Sequence, residues 1–243
     1  MELLELRNVT KHFLGLAAVN NLSMEVRHGE ILGLIGPNGA GKTTVFNLIT
    51  GYFSVDEGDI FFMGSSIRGK QPFHICHMGI GRTFQLGRPF HGITVLENVL
   101  IGAFNRHKGI REARRETEKI LDMVGLSEKK DVLAKNLNVE ERKKIELAKA
   151  LATKPQLLLL DEVMAGLNEA EIMGALGLLG KLQQEGMTLL IIEHVMSAIM
   201  TLCHRIVVLH HGEMISEGPP RKISADERVI SAYLGGGYHV APG

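Results

Sequence analysis

The run Gly36-Pro37-Asn38-Gly39-Ala40-Gly41-Lys42-Thr43, continued by Thr44, has the residue types and spacing to hold phosphate groups. Gly36, Gly39 and Gly41 allow the backbone to curl so that its N–H groups face inward. A helix expected to begin at Lys42 adds its positive N-terminal end. Lys42 supplies a mobile charge for the β- and γ-phosphates of a nucleotide, and the Thr43 hydroxyl can hold Mg2+. The alternative is a glycine-rich turn without a ligand. The apolar strand Ile31–Ile35 just before the loop, and the helical pattern just after it, favour the phosphate reading.

A second group with chemical potential is Leu157-Leu-Leu-Leu-Asp161-Glu162, an apolar strand that ends in two carboxylates. Such an ending is common and alone says little. Downstream of a phosphate loop, Asp161 can bind the metal shell. Glu162 can polarise a water in line with the γ-phosphate and accept its proton.

These residues need a scaffold, and the rest of the chain supplies one. With 243 residues, 45% of them hydrophobic, the chain can bury a substantial core. Leu3–Val9 and Leu22–Val26 alternate as half-exposed strands, Asp56–Asp59 reads as a turn, and Ile60–Met63 as a short strand. Residues 86–153 read as mostly helical, with the charged run 111–119 on a solvated face. Strands return at Leu157–Leu160, Leu189–Ile192 and Ile206–Leu209, with helical stretches between them. That alternation predicts an α/β fold with a largely parallel sheet. The 27 basic and 27 acidic side chains cancel, which gives no footprint for nucleic acid. Cys76 and Cys203 form no disulfide framework and fit a reducing compartment. Acidic residues interrupt the apolar start, unlike a secretory signal. No run reaches the roughly 20 apolar residues of a membrane span. His74-Ile-Cys-His77 lacks the second half of a zinc site.

Taken in order, the motifs resemble the ABC transporter ATPase family across nearly the whole chain. Phe13 stands where that family stacks an aromatic ring on adenine, and Gln85, in Arg82-Thr-Phe-Gln85, matches the glutamine that reaches the metal and the attacking water. Leu137-Asn138-Val139-Glu140-Glu141 lies where the family signature belongs, Ala165-Gly-Leu-Asn168 resembles the D-loop, and His194 matches the histidine that contacts the γ-phosphate. The resemblance implies a P-loop NTPase (RecA-like) core at 1–85 and 154–243, with an N-terminal antiparallel β subdomain and an inserted helical subdomain at 86–153. It implies ATP as substrate with Mg2+ held by Thr43, Gln85 and Asp161. It also implies catalysis by Glu162, His194 and Gln85, and pairing with a second ATPase subunit, a copy or a sister chain. Membrane contact would come only through permease subunits on the cytoplasmic face of the inner membrane, with Phe90, His91 and Ile93 as contacts.

The signature departs from the family's Leu-Ser-Gly-Gly-Gln. Asn138 can donate an amide in place of the serine hydroxyl, but Val139 and Glu140 replace both glycines. A carboxylate at Glu140 repels a triphosphate unless it points away. At 4 Å the cost is about 4 kcal/mol at an effective dielectric of about 20. Either one of two composite ATP sites is slow or the loop has adapted. Four stretches, among them Asp161–Asn168 and Ile192–Met196, resemble the ATPase subunits of branched-chain amino acid importers. The alternatives are a non-transport ABC ATPase and a regulatory module that binds ATP without cleaving it.

Overall fold

The computed structural model describes residues 2–84 and 89–234. In chain order the elements are β1 (Glu2–Phe13), β2 (Leu16–Arg27), β3 (Ile31–Ile35), α1 (Lys42–Ile49), β4 (Glu57–Phe62) and β5 (Ser65–Ser66). There follow α2 (Pro72–Met78), β6 (Ile80–Arg82), α3 (Val95–Ala103), α4 (Ile110–Met123), α5 (Val139–Ala152), β7 (Leu157–Asp161) and α6 (Glu169–Gln184). The described chain ends with β8 (Thr188–Ile192), α7 (Met196–Leu202), β9 (Arg205–His210), β10 (Glu213–Gly218), α8 (Pro220–Ser224) and α9 (Glu227–Leu234). Among the described residues no helix is long and apolar enough to cross a membrane.

The chain forms two compact units, residues 1–71 with 190–243, and residues 72–189. In the first unit β2, β1, β4 and β5 make an antiparallel sheet in that order. The long strands β1 and β2 mix buried and exposed positions, and register shifts along their pairing break the simple alternation of a strand with one solvated face. The stretch Asp56–Asp59, expected as a turn, is mostly strand, because Glu57 and Asp59 pair with Thr10 and Arg7 of β1. Gly58 makes this possible. Its φ is 80°, and a Cβ there would sit 2.3 Å from the Arg7 carbonyl oxygen, so only glycine admits the approach.

A mixed, mostly parallel arrangement carries the phosphate loop. Strands β10, β9, β3 and β8 lie side by side in that order, with β3 parallel to β9 and β10 antiparallel to it. All five residues of β3 are buried, which is why the strand reads as an unbroken apolar run. The hairpin partner β10 is more polar and gave no such signal in the sequence. Arg205 ties β9 to this unit by donating to the Glu30 carboxylate at 2.7 Å and to the Glu25 carbonyl at 2.7 Å.

In the second unit β6 pairs parallel with β7, and Thr188 at the start of β8 donates to the Gln156 carbonyl at 3.2 Å. Helix α3 begins at a Thr94–Glu97 capping box. Helix α4 buries Ala113, Thr117, Ile120 and Leu121 on one stripe, and α5 buries Ile145 through Ala148 and Ala150 through Ala152.

Candidate functional site

In the first unit the segment between β3 and α1 is built as the spacing predicts. Gly36 has φ 153°, and a Cβ there would lie 2.1 Å from the Leu209 carbonyl oxygen. No other residue fits against β9 at that point. Ala40 is buried, whereas Asn38 and Gly39 are exposed. The buried Lys42 ammonium donates to the carbonyl oxygens of Gly36 at 2.7 Å and Pro37 at 2.9 Å. Helix α1 starts at Gly41 with no side-chain cap and no acidic residue in its first turn. Its N-terminal amides are therefore not closed off by a capping side chain, the condition for receiving an anion. Thr43 is exposed at that end and Thr44 half-buried.

Two further residues of this unit were singled out. Phe13, at the end of β1, is 39% exposed, stands edge-on to Phe53 with ring centroids 5.0 Å apart, and has the Lys11 ammonium 5.5 Å from its ring. His194, just past β8, is exposed, and its backbone N–H donates to the Glu193 carboxylate at 3.2 Å.

The acid pair lies in the second unit. The Asp161 side chain is 3% exposed and pairs with the Arg82 guanidinium, itself 8% exposed, at 3.0 Å. Its backbone N–H donates to the Thr83 hydroxyl oxygen at 3.2 Å. The edge strand β6 thus reaches alongside β7 and fixes Asp161 through two consecutive residues. Glu162 is half-buried and has φ 51°, a left-handed conformation uncommon outside glycine. The Lys143 ammonium of α5 donates to the carbonyl oxygens of Glu162 at 3.0 Å and Val163 at 3.2 Å. Neither Arg82 nor Lys143 was singled out as a functional residue from the sequence. Asp161 and Arg82 are 79 positions apart, and only the pairing of β6 with β7 brings them together.

The segment Asn138–Glu141 is the N-terminus of α5. The Asn138 side-chain oxygen accepts from the Glu141 N–H at 2.8 Å, and the Glu141 carboxylate accepts from the Asn138 N–H at 3.0 Å. Burial raises the Glu141 pKa, but bonds from Lys129 and the Asn138 N–H outweigh it and hold the carboxyl below its usual range. Glu140 pairs with Lys144 at 2.5 Å, one turn along its own helix. Val139 is 60% exposed. Asn168 plays the same part for α6, accepting from the Glu171 N–H at 3.0 Å. This accounts for an asparagine at that position, since Asn and Asp cap helices about equally well. Gln85 lies outside the described residues.

Residues 19–165 match the ABC transporter family, and residues 213–239 match the branched-chain amino acid ATP-binding cassette transporter family. The chain belongs to the ABC transporter family. It is an ATPase of that family, with the α/β P-loop NTPase fold. One relative is the high-affinity branched-chain amino acid transport ATP-binding protein LivG of Salmonella typhimurium, 37% identical over 96% of this chain and 98% of its own. The crystal structure of a nucleotide-free ATP-binding cassette from an ABC transporter superposes with a TM-score of 0.89 at 32% identity, covering 97% of this chain and all (100%) of that one. A dimeric cassette in a post-hydrolysis state with ADP and Pi superposes with a TM-score of 0.82 at 25% identity, covering 90% and 99%.

Hard oxygen donors, the kind divalent cations prefer, stand in each unit taken by itself: the Thr43 hydroxyl in the first and the Asp161 carboxylate in the second. Cys203 is buried, and that burial pushes its thiol pKa up to about 12. The His77 ring contacts the Phe73 carbonyl at 2.9 Å and the Asn105 amide at 3.3 Å, packing α2 against the end of α3.

Proposed function

We propose that the chain powers uptake of branched-chain amino acids, or a related small polar solute, through separate membrane permease subunits. It would act on the cytoplasmic face of the inner membrane beside a second ATPase subunit, and it would bind no nucleic acid. Support for the amino acid assignment comes from the similarity to LivG over nearly the full length of both chains. The observation that carries the ATPase chemistry is Lys42, whose ammonium sits on the Gly36 and Pro37 carbonyls beside a helix end without a side-chain cap. A γ-phosphate offers that ammonium a charged partner, so the lysine leaves two neutral carbonyls for a stronger bond.

The residues then divide the work, with Thr43 and Gln85 serving twice. Phe13 stacks on the adenine. Gly36, Pro37, Asn38, Gly39, Ala40 and Gly41 wrap the phosphates with backbone N–H groups, and Lys42, Thr43 and Thr44 complete the cradle. Thr43, Asp161 and Gln85 would hold Mg2+, which neutralises phosphate charge when bound. Glu162 accepts the proton of the attacking water, with His194 and Gln85 ordering the γ-phosphate and that water. Asn138, Val139, Glu140 and Glu141 face the nucleotide of the partner subunit, and Asn168 lies in the D-loop. The nucleotide-binding core comprises 1–85 and 154–243, the helical subdomain 86–153. Phe90, which is 55% exposed, and the neighbouring His91 and Ile93 are the expected permease contacts.

Two substitutions test the proposal. Lys42→Ala should abolish high-affinity ATP binding, read by equilibrium titration, and amino acid uptake with it. Glu162→Gln should bind ATP but fail to release phosphate, leaving a trapped dimer. If Lys42→Ala left both binding and uptake unchanged, the proposal would fail. Wild type that binds ATP tightly yet never releases phosphate, even with its membrane subunits, would establish the regulatory reading instead.

A further inference from the structure

Glu162 combines two demands that conflict locally. It must present its carboxylate at the end of β7, and its backbone sits at φ 51°, where a residue with a side chain is disfavoured. In this geometry the carbonyl oxygens of Glu162 and Val163 converge on one point, and the Lys143 ammonium occupies it at 3.0 and 3.2 Å. Two converging carbonyl dipoles repel each other. A cation between them turns that repulsion into attraction, strengthened because the site is partly buried. Without the cation the peptide has reason to turn back toward an ordinary backbone conformation, and the carboxylate would turn with it.

Lys143 belongs to α5, four positions beyond Val139 and therefore about one turn from the signature end of the same helix. We propose that Lys143 is a positioning residue for ATP hydrolysis, holding the Glu162–Val163 carbonyls and so coupling the signature helix to the catalytic carboxylate of its own chain. The coupling rests on the functional reading above, in which α5 faces the partner's nucleotide while Glu162 serves this chain's own. A shift of α5 when its N-terminus engages one nucleotide then reaches Glu162 at the other through a single side chain.

A cavity of about 480 Å3, lined by Lys143, Val163, Leu167 and residues of α4, α5 and α6, borders this contact. It leaves room for an arginine in place of the lysine. Lys143→Met keeps the aliphatic stem and removes the charge, and Lys143→Arg keeps the charge. Hydrogen exchange across residues 157–168 of the nucleotide-free chain reads the backbone directly. ATP titration reads binding, and phosphate release by the transporter assembled in membrane vesicles reads kcat and KM.

The expected pattern for Lys143→Met is exchange at least about tenfold faster around Val163, ATP affinity unchanged, and kcat down about tenfold with KM unchanged. Lys143→Arg should restore both exchange and kcat. Lys143→Gln, which keeps one donor group, should fall between and covers the case in which the methionine variant folds poorly. The proposal is overturned if Lys143→Met matches wild type in exchange or in kcat, or if the arginine variant is no better than methionine. Failure of the ATPase reading would look different, because wild type itself would then bind no nucleotide while the exchange comparison still reported on the Lys143 contact.

Discussion

Helices α1 and α5 both begin at ends that the proposed function sets against phosphate, yet their first turns are opposite in chemistry. Helix α1 starts at Gly41, with no capping side chain and no acid in its first turn. Helix α5 starts at Asn138 with a complete capping box and carries Glu140 and Glu141 in its first turn. Both backbones offer the same dipole and the same set of N–H groups lacking helical partners. What differs is who uses them. At α5 the chain's own Asn138 and Glu141 side chains consume two of the donors an anion needs, and two carboxylates stand nearby. A helix end receives an anion most readily while its own side chains leave it open, so on the proposed reading the chain's own nucleotide is held chiefly at α1 and α5 meets the partner's more weakly.

The largest effect should come from giving α1 what α5 has. Thr44→Glu places a carboxylate in the first turn of α1. A like charge about 4 Å from a phosphate costs about 4 kcal/mol at an effective dielectric of about 20, or about three powers of ten in affinity. Titration with a fluorescent ATP analogue measures it, with thermal unfolding confirming an intact fold. Binding that survives within tenfold would break the comparison, because charge at the helix end would then not decide phosphate affinity.

The converse change should act in the opposite direction and more weakly. Glu140→Gln with Glu141→Gln keeps the capping geometry, since glutamine also serves in a capping box, and removes both charges. In a Glu162→Gln background, ATP-dependent self-association should tighten about tenfold, read by sedimentation, if the α5 end meets a nucleotide. No change would mean that Glu140, drawn toward Lys144, already points away from any phosphate.

These contrasts were only partly legible in the sequence. The strands Ile31–Ile35 and Leu157–Leu160 are local patterns, and the structure forms both, the second running one residue further to Asp161. The capping box at α5 is also local, four residues long, but an asparagine side chain carries both a donor and an acceptor, and sequence alone does not say which one is used. The structure uses its side-chain oxygen as a cap, a role that does not engage the amide nitrogen. The Arg82–Asp161 and Lys143–Glu162 contacts had no signature at all, because they join positions 79 and 19 residues apart through strand pairing and helix packing. A three-residue strand such as β6 is too short to show a period, and Glu57–Asp59 looked like a turn because its pairing depends on a glycine rather than on apolar alternation.

Stability should show the same asymmetry between the two helices. Asn138→Ala removes the cap of α5 and should cost about 1 kcal/mol in urea unfolding. Gly41→Ala removes no side-chain cap from α1, since none is present, and acts instead through backbone strain at φ 102° and a Cβ 2.4 Å from the Ala18 carbonyl oxygen. Adding the Asn138→Ala change to the Glu141→Gln variant should cost less than the sum of the two singles, because both act on one reciprocal pair.

The smallest effect is the one pH should produce, and its sign follows from the direction of the Glu141 shift. That carboxyl is held below its ordinary value of 4.5 by Lys129 and the Asn138 N–H, against the opposing influence of burial. A group depressed in the folded state stabilises fully above its unfolded value, and the contribution fades as pH falls from there through the folded value. Acid therefore should loosen the first turn of α5 below about pH 4.5, seen as faster amide exchange at Val139–Glu141 relative to the helix interior. The first turn of α1 has no acid to protonate and should keep its relative protection over the same range. If both ends loosened together, the acid response would belong to the whole fold and not to the capping box of α5.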